Sequence, residues 1–132
     1  MSMLQQGLKG QSWAEVSDWE IRQGGVSFTV DTARAWAQRY PKAAIYWIMG
    51  SDQWEALDSW KEPRELGRLL HFLVFPRPKN PTPRRGFRMS EIPLRLDISA
   101  TVIRSRLKRG LSVEGLVLPG VEKTIRRSRL YR

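Results

Sequence analysis

The sequence predicts an α/β fold with a mainly parallel sheet, and three observations carry that reading. Two short apolar runs, Ala44-Ile45-Tyr46-Trp47-Ile48-Met49 and His71-Phe72-Leu73-Val74-Phe75, have the continuous hydrophobicity of buried parallel strands. Between them lies Glu62–Arg68, a helical segment with Pro63 in its first turn, the one place where a helix accepts proline readily. Strand and helix patterns then continue to alternate, which favours βαβ crossovers over hairpins.

The elements follow in order. The pair Gly24-Gly25 leads into the β-prone run Val26-Ser27-Phe28-Thr29, an extended entry to a short helix. Ala33, Trp36 and Ala37 share one face of that helix, Tyr40-Pro41 stops it, and Thr29 or Asp31 is expected to cap it. The run Ala44–Met49 ends at Gly50, where a strand opens into a loop and helix. Four of the eight prolines fall between Pro76 and Pro83, so that stretch is an irregular loop. Ile92–Ile98 reads as a third strand, and Ser99 as the cap of a helix running to Arg109 and stopped by Gly110. Pro119–Arg129 supplies a last helix whose basic end suits the helix dipole.

The length of 132 residues supports one compact domain, 1–132, with a real core. With 41% hydrophobic residues, 27% charged residues and six Trp, the composition is that of a globular protein. The absence of cysteine excludes disulfides and thiolate metal sites and fits a reducing compartment. Around Ala43–Met49 the chain has its longest apolar stretch, too short to span a bilayer, and residues 1–6 lack the pattern of a signal peptide. A soluble cytoplasmic protein without membrane contact is therefore expected. The net charge of +10 is uneven: residues 61–132 hold 18 basic and 6 acidic side chains. That half attracts polyanions, from nucleotides to RNA, unless it is simply a solvated basic surface.

In a parallel sheet, ligands bind beyond the C-terminal strand ends. Three segments occupy that edge: Gly50-Ser51-Asp52, Pro76-Arg77-Pro78 and Ser99-Ala100-Thr101. Asp52, two residues after Gly50, can accept hydrogen bonds from ribose hydroxyls or can cap the following helix. Trp60 can stack on a flat heterocycle or serve as packing, as the other tryptophans do. Ser99 and Thr101 at a helix start, with Arg104 one turn on, make a site for phosphate oxygens or an ordinary capped helix.

Taken in order, Ser27-Phe28-Thr29-Val30-Asp31-Thr32, Tyr46-Trp47-Ile48-Met49-Gly50-Ser51-Asp52-Gln53, Trp60-Lys61, Phe75-Pro76-Arg77-Pro78 and Ile98-Ser99-Ala100-Thr101-Val102-Ile103-Arg104 resemble successive motifs of the bacterial nicotinate mononucleotide adenylyltransferases. Val117-Leu118-Pro119-Gly120-Val121 and Ile125–Tyr131 resemble the C-terminus of that family. The resemblance implies a doubly wound, Rossmann-like nucleotidyltransferase domain with C-terminal helices, of which the chain is the C-terminal two-thirds. It implies the joining of nicotinate mononucleotide to the AMP of ATP, giving deamido-NAD and pyrophosphate in NAD biosynthesis, with Mg²⁺ required by the chemistry. It further implies that Trp60 and the Thr29 and Lys61 amides bind nicotinate, that Gly50 and Asp52 bind nucleotide, and that Ser99, Thr101 and Arg104 bind the ATP phosphates. Ala100 stands where the family more often has a second serine, which removes one hydroxyl but no amide.

The His-x-Gly-His motif and the glycine-rich turn before it, which the family carries near its N-terminus, are not found here: the chain has one histidine. That histidine, His71, begins a predicted strand at the sheet end opposite the ligand edge, so no catalytic residue is assigned within the chain. Gly24-Gly25 matches the later Gly-x-Ser-x-Thr segment of the family and follows no strand. The expectation is a chain that lacks the first strands and is nearly inactive alone. The alternative reading is a non-catalytic nucleotide- or RNA-binding module derived from the same fold. The oligomeric state and the preference between nicotinate and nicotinamide mononucleotide are left open by the sequence.

Overall fold

A computed structural model describes residues 2–77, 79–94 and 98–131, and they divide into two compact units. One comprises residues 23–97, and the other joins residues 1–22 to 98–132.

The first unit is built on a three-stranded parallel sheet, in the order β1 (Ile45–Gly50), β2 (Leu70–Phe75), β3 (Arg88–Glu91). Its helices are α3 (Thr29–Arg39), α4 (Ser51–Glu55) and α5 (Pro63–Leu69), with a 3₁₀ turn at Leu57–Ser59. The predicted crossover is present: β1 leads through α4 and α5 back to β2, in parallel register from Ile45 opposite Leu70 to Gly50 opposite Phe75. Proline does start α5 at Pro63, after Glu62 in a left-handed conformation (φ 50°, ψ 58°).

One face of this sheet is sealed. Leu70, Phe72 and Val74 alternate along β2 and are fully buried with Met49 of β1, Val30 and Ala33 of α3, Trp54, Leu57 and Leu66. The Trp54 ring lies 5.4 Å from Phe72 and 5.8 Å from Phe87, centroid to centroid, in tilted and edge-on contacts that aromatic quadrupoles favour. β1 departs from the expectation of a strand buried on both faces: Tyr46 and Ile48, on its other face, are 54% and 65% exposed. The reason is that α3, α4 and α5 all supply the core cluster on its opposite face.

Two further expectations need correction. The third strand is Arg88–Glu91, not Ile92–Ile98; of the latter span Ile92–Leu94 is irregular, and residues 95–97 lie outside the described residues, as does Pro78. Arg88-Met89-Ser90-Glu91 has no apolar run to announce it, and its strand character comes from pairing with His71–Val74. Pairing extends one step further, where the Ile92 N–H donates to the Val74 carbonyl at 3.0 Å. The cap of α3 is Phe28, with extended backbone and no side-chain hydrogen bond, because the helix starts one residue earlier than a Thr29 cap requires and three earlier than an Asp31 cap requires. The loop from Pro76 is irregular as expected, and Arg84 pins it by donating to the Trp54 carbonyl at 2.9 Å and to Asp58 at 2.6 Å.

The second unit contains α1 (Ser2–Gly7), α2 (Trp19–Gln23, reaching into the other unit by one residue), α6 (Ala100–Lys108) and α7 (Pro119–Arg127). α1 packs on α7, and a Cβ at Gly7 would already touch Leu118 and Val121 at 3.7 Å. Both later helices end in Schellman turns: the Leu111 N–H donates to the Arg106 carbonyl, and the Leu130 N–H to the Ile125 carbonyl. Gly110 supplies the left-handed residue in the first (φ 68°), as the sequence predicted, and Arg129 in the second (φ 49°). The short helices α1 and α2 were not legible in the sequence, since neither is long enough to show a period.

Candidate functional site

The parallel register of β1 and β2 sets Gly50 beside Phe75, so the residues that follow each strand meet at one corner. Ser51, fully buried there, accepts a hydrogen bond from the Arg77 N–H at 2.7 Å, and its Oγ lies 2.9 Å from the Arg77 carbonyl and 2.7 Å from that of Lys79. A hydroxyl has one proton, so it donates to one of these carbonyls at a time. Asp52 is the second residue of α4, whose cap is Gly50, so the capping alternative for Asp52 is not what the structure adopts. Instead its Oδ2 accepts from Arg77 Nη2 at 2.7 Å. That guanidinium bond, aided by backbone amides of the first helical turn, holds the Asp52 carboxyl below its ordinary pKa, against the opposing effect of burial. Gly50 is needed by this arrangement, since a Cβ would fall 2.5 Å from Asp52 Oδ1 and 3.2 Å from Arg77 Nε.

A second cluster forms where α3 meets the segment before α5. The Lys61 ammonium lies 4.4 Å above the Phe28 ring and donates to Asp31 Oδ2 at 3.2 Å, so it spans the first turn of α3 around Thr29. Trp60 is half-buried and packed against the core cluster, with its own N–H donating to the Leu57 carbonyl at 3.1 Å. The Thr29 N–H is a first-turn amide, of the kind to which a helix itself offers no partner. Lys61 is thus held at the start of α3 where Thr29 stands, and for Trp60 the packing reading is realised.

In the other unit, Ser99 caps α6, its Oγ accepting from the Val102 N–H at 3.2 Å. Thr101 and Arg104 are exposed on that helix, one turn apart. The capped-helix reading is therefore realised, and it leaves the Ser99 proton, the Thr101 hydroxyl and the Arg104 guanidinium able to donate to an anion.

Within the sheet unit, His71 is remote from the corner of Gly50 and Asp52. It sits four residues before the end of β2, roughly 13 Å along the strand. Its Nε2 is hydrogen-bonded with Ser90 Oγ at 2.9 Å, and its ring lies 5.2 Å from Tyr46. Sequence reasoning assigned no site role to Ser51, Arg77, Asp31, Arg34 or Glu62. Ser51, Arg77 and Asp31 lay inside motifs already noted, and Arg34 and Glu62 become visible only through contacts between α3 and the start of α5. Among the described residues no group of three or more His, Cys, Asp or Glu converges in a way that could hold a metal, and the chemistry of Mg²⁺ would bring it with the substrate phosphates instead of in a cage of side chains. Nor is any helix of the described residues long and apolar enough to cross a membrane.

Comparison with known proteins places this geometry in a family. No family model matches the chain. It is 38% identical over 136 aligned residues to a probable nicotinate-nucleotide adenylyltransferase of Opitutus terrae, covering 99% of this chain and 70% of that protein. Among solved structures it is similar to the Plasmodium falciparum nicotinic acid mononucleotide adenylyltransferase complexed with APC, with TM-score 0.60, 19% identity and 82% of this chain covered. The same Plasmodium enzyme complexed with NaAD matches with TM-score 0.59 and 19% identity over 80% of this chain. This chain spans 60% and 58% of those two structures, and at 19% identity they speak for the fold, which is Rossmann-like α/β. With its ordered motifs, parallel sheet and this similarity along 99% of its length, the chain belongs to the nicotinate-nucleotide adenylyltransferase family.

Proposed function

We propose that this chain binds nicotinate mononucleotide and the phosphates of ATP for adenylyl transfer, with deamido-NAD and pyrophosphate as products. The observation that supports this best is the Lys61 ammonium on Asp31 and over the Phe28 ring, which ties the Trp60–Lys61 segment to the N-terminus of α3, and two amide donors with an aromatic ring would suit a pyridine carboxylate. In the reaction an oxygen of the mononucleotide phosphate attacks the α-phosphorus of ATP, one P–O bond forming as the bond to the departing pyrophosphate breaks.

The residues divide the work by chemistry. The Trp60 ring stacks on the pyridine, and the Thr29 and Lys61 N–H groups donate to its carboxylate. Gly50 admits a nucleotide close to the backbone, and Asp52 accepts from a ribose hydroxyl while Arg77 keeps it ionised. Ser99, Thr101 and Arg104 donate to ATP phosphate oxygens at the start of α6. The single histidine, His71, is tied to Ser90, so these 132 residues are assigned binding, and their turnover alone is expected to fall at least ~100-fold below that of an enzyme with imidazole catalysis. A cytoplasmic setting belongs to the same proposal, supported by the cysteine-free composition.

Titration calorimetry with nicotinate mononucleotide tests the reading. Saturable binding by the unaltered chain is expected, weakened about 10- to 100-fold by Trp60→Ala, in line with the value of stacking on an aromatic side chain. Trp13→Ala, at an exposed tryptophan of the other unit, is expected to change nothing. Absence of binding by the unaltered chain would sink the proposal.

A further inference from the structure

Four charged side chains where α3 meets the Trp60–Lys61 segment form ion pairs to which the functional reading gives no role. Arg34, one turn along α3 from Asp31, grips Glu62 with both terminal nitrogens: Nη1 donates to Oε1 at 3.3 Å and Nη2 donates to Oε2. Lys61 Nζ donates to Asp31 Oδ2 at 3.2 Å, and Arg34 Nη1 lies 3.5 Å from Asp31 Oδ1, which joins the two pairs. Both residues that follow Trp60 are therefore tethered to one helix. Two cations and two anions cancel, so the cluster adds little net field toward an anion, and its effect is geometric.

Glu62 is the sensitive point. Its backbone is left-handed, a conformation disfavoured for any residue with a Cβ, and it turns the chain from extended Trp60 (φ −76°, ψ 158°) into α5. The Glu62 carbonyl is held by the Glu65 and Leu66 N–H groups at 3.0 and 3.2 Å, and its side chain is held by Arg34. The guanidinium hydrogen bond also keeps the Glu62 carboxyl below its ordinary pKa, so the pair stays charged at neutral pH.

We infer that Arg34 and Glu62 are positioning residues: their forked pair clamps the Trp60–Lys61 segment to α3 and thereby sets the spacing of the Thr29 and Lys61 backbone N–H groups. This rests on the functional reading above. Two converging N–H donors match the two acceptor oxygens of a carboxylate, whereas a carboxamide brings one acceptor and one NH₂, setting donor against donor. That penalty requires the two donors to stay in place. A loosened clamp lowers the discrimination between nicotinate and nicotinamide mononucleotide, and not affinity alone.

The test compares the full chain with Arg34→Met, Glu62→Gln, the double variant, Arg34→Lys and, as control, Arg64→Met, whose exposed side chain makes no such contact among the described residues. Calorimetry reads the affinity ratio for the two mononucleotides, and hydrogen exchange reads the Trp60 and Glu65 amides in the ligand-free chain. Each single variant is expected to lose about tenfold in the ratio and to exchange about tenfold faster at both amides, with the double variant no worse than either, as for one shared interaction. Arg34→Lys, which keeps charge but not the fork, is expected to recover part of the loss, and Arg64→Met to match the unaltered chain. If Arg34→Met unfolds, Glu62→Gln, which preserves side-chain shape, carries the same comparison. Unchanged exchange at Trp60 and Glu65 in folded variants overturns the clamp. Failure of the unaltered chain to bind either mononucleotide overturns the functional reading, and the exchange rates still decide the clamp.

Discussion

At Asp52 a single carboxylate couples stability to the site. Its pKa is lowered by the Arg77 hydrogen bond, so the folded chain holds that proton less tightly than the unfolded one. The pair therefore stabilises the fold above the ordinary carboxylate range near 4, and the contribution is lost as pH falls through the lowered value. Because Asp52 is 41% exposed, it is worth at most about 1 kcal/mol. Urea titrations from about pH 6 down to about pH 3 are expected to show a shallower acid loss for Asp52→Asn than for the unaltered chain. Gly50→Ala is expected to cost nucleotide affinity more than stability, because its Cβ displaces Asp52 Oδ1 from 2.5 Å. Calorimetry beside a thermal melt separates the two. Asp52 was legible in the sequence as a carboxylate at a strand end, whereas Arg77 as its partner was not, since only the β1–β2 register brings residues 25 positions apart into contact.

The helices of the second unit show how local rules set element ends. Removing the Ser99 cap, by Ser99→Ala, is expected to cost about 1 kcal/mol in denaturant unfolding, because the Val102 N–H loses its acceptor. Arg129 sits in the left-handed turn after α7, where glycine serves at the end of α6. Arg129→Gly is therefore expected to stabilise the chain by about 0.5–1 kcal/mol, the relief of strain less the gain in unfolded-state freedom. A measured loss would mean that the Arg129 side chain contributes more than its backbone costs. Gly110, Ser99 and Pro63 announced their helix ends in the sequence because capping is a property of a few consecutive residues. The start of α3 was misjudged because its cap, Phe28, works through backbone geometry alone.

For the molecule as a whole, the core of the sheet unit centres on β2, and Phe72, fully buried between Trp54 and Phe87, is its most embedded ring. Phe72→Ala is expected to cost about 3–5 kcal/mol, read as a lower urea midpoint, since Trp54 and Phe87 both lose their contact with its ring and a cavity is left in the core. Sequence alone determined the βαβ crossover, its parallel strands, the helix caps carried by side chains, and the family motifs, because each is written in residues close along the chain or in unbroken apolar runs. The tertiary structure decided the rest. It made a strand of the polar Arg88–Glu91, left Tyr46 and Ile48 exposed on β1, paired Asp52 with Arg77, and drew Asp31, Arg34, Lys61 and Glu62 into one cluster. The physical reason is common to all four. Which face of a strand is covered, and which charges meet, depends on segments brought together from far along the chain, and hydropathy and propensity describe only neighbours in sequence.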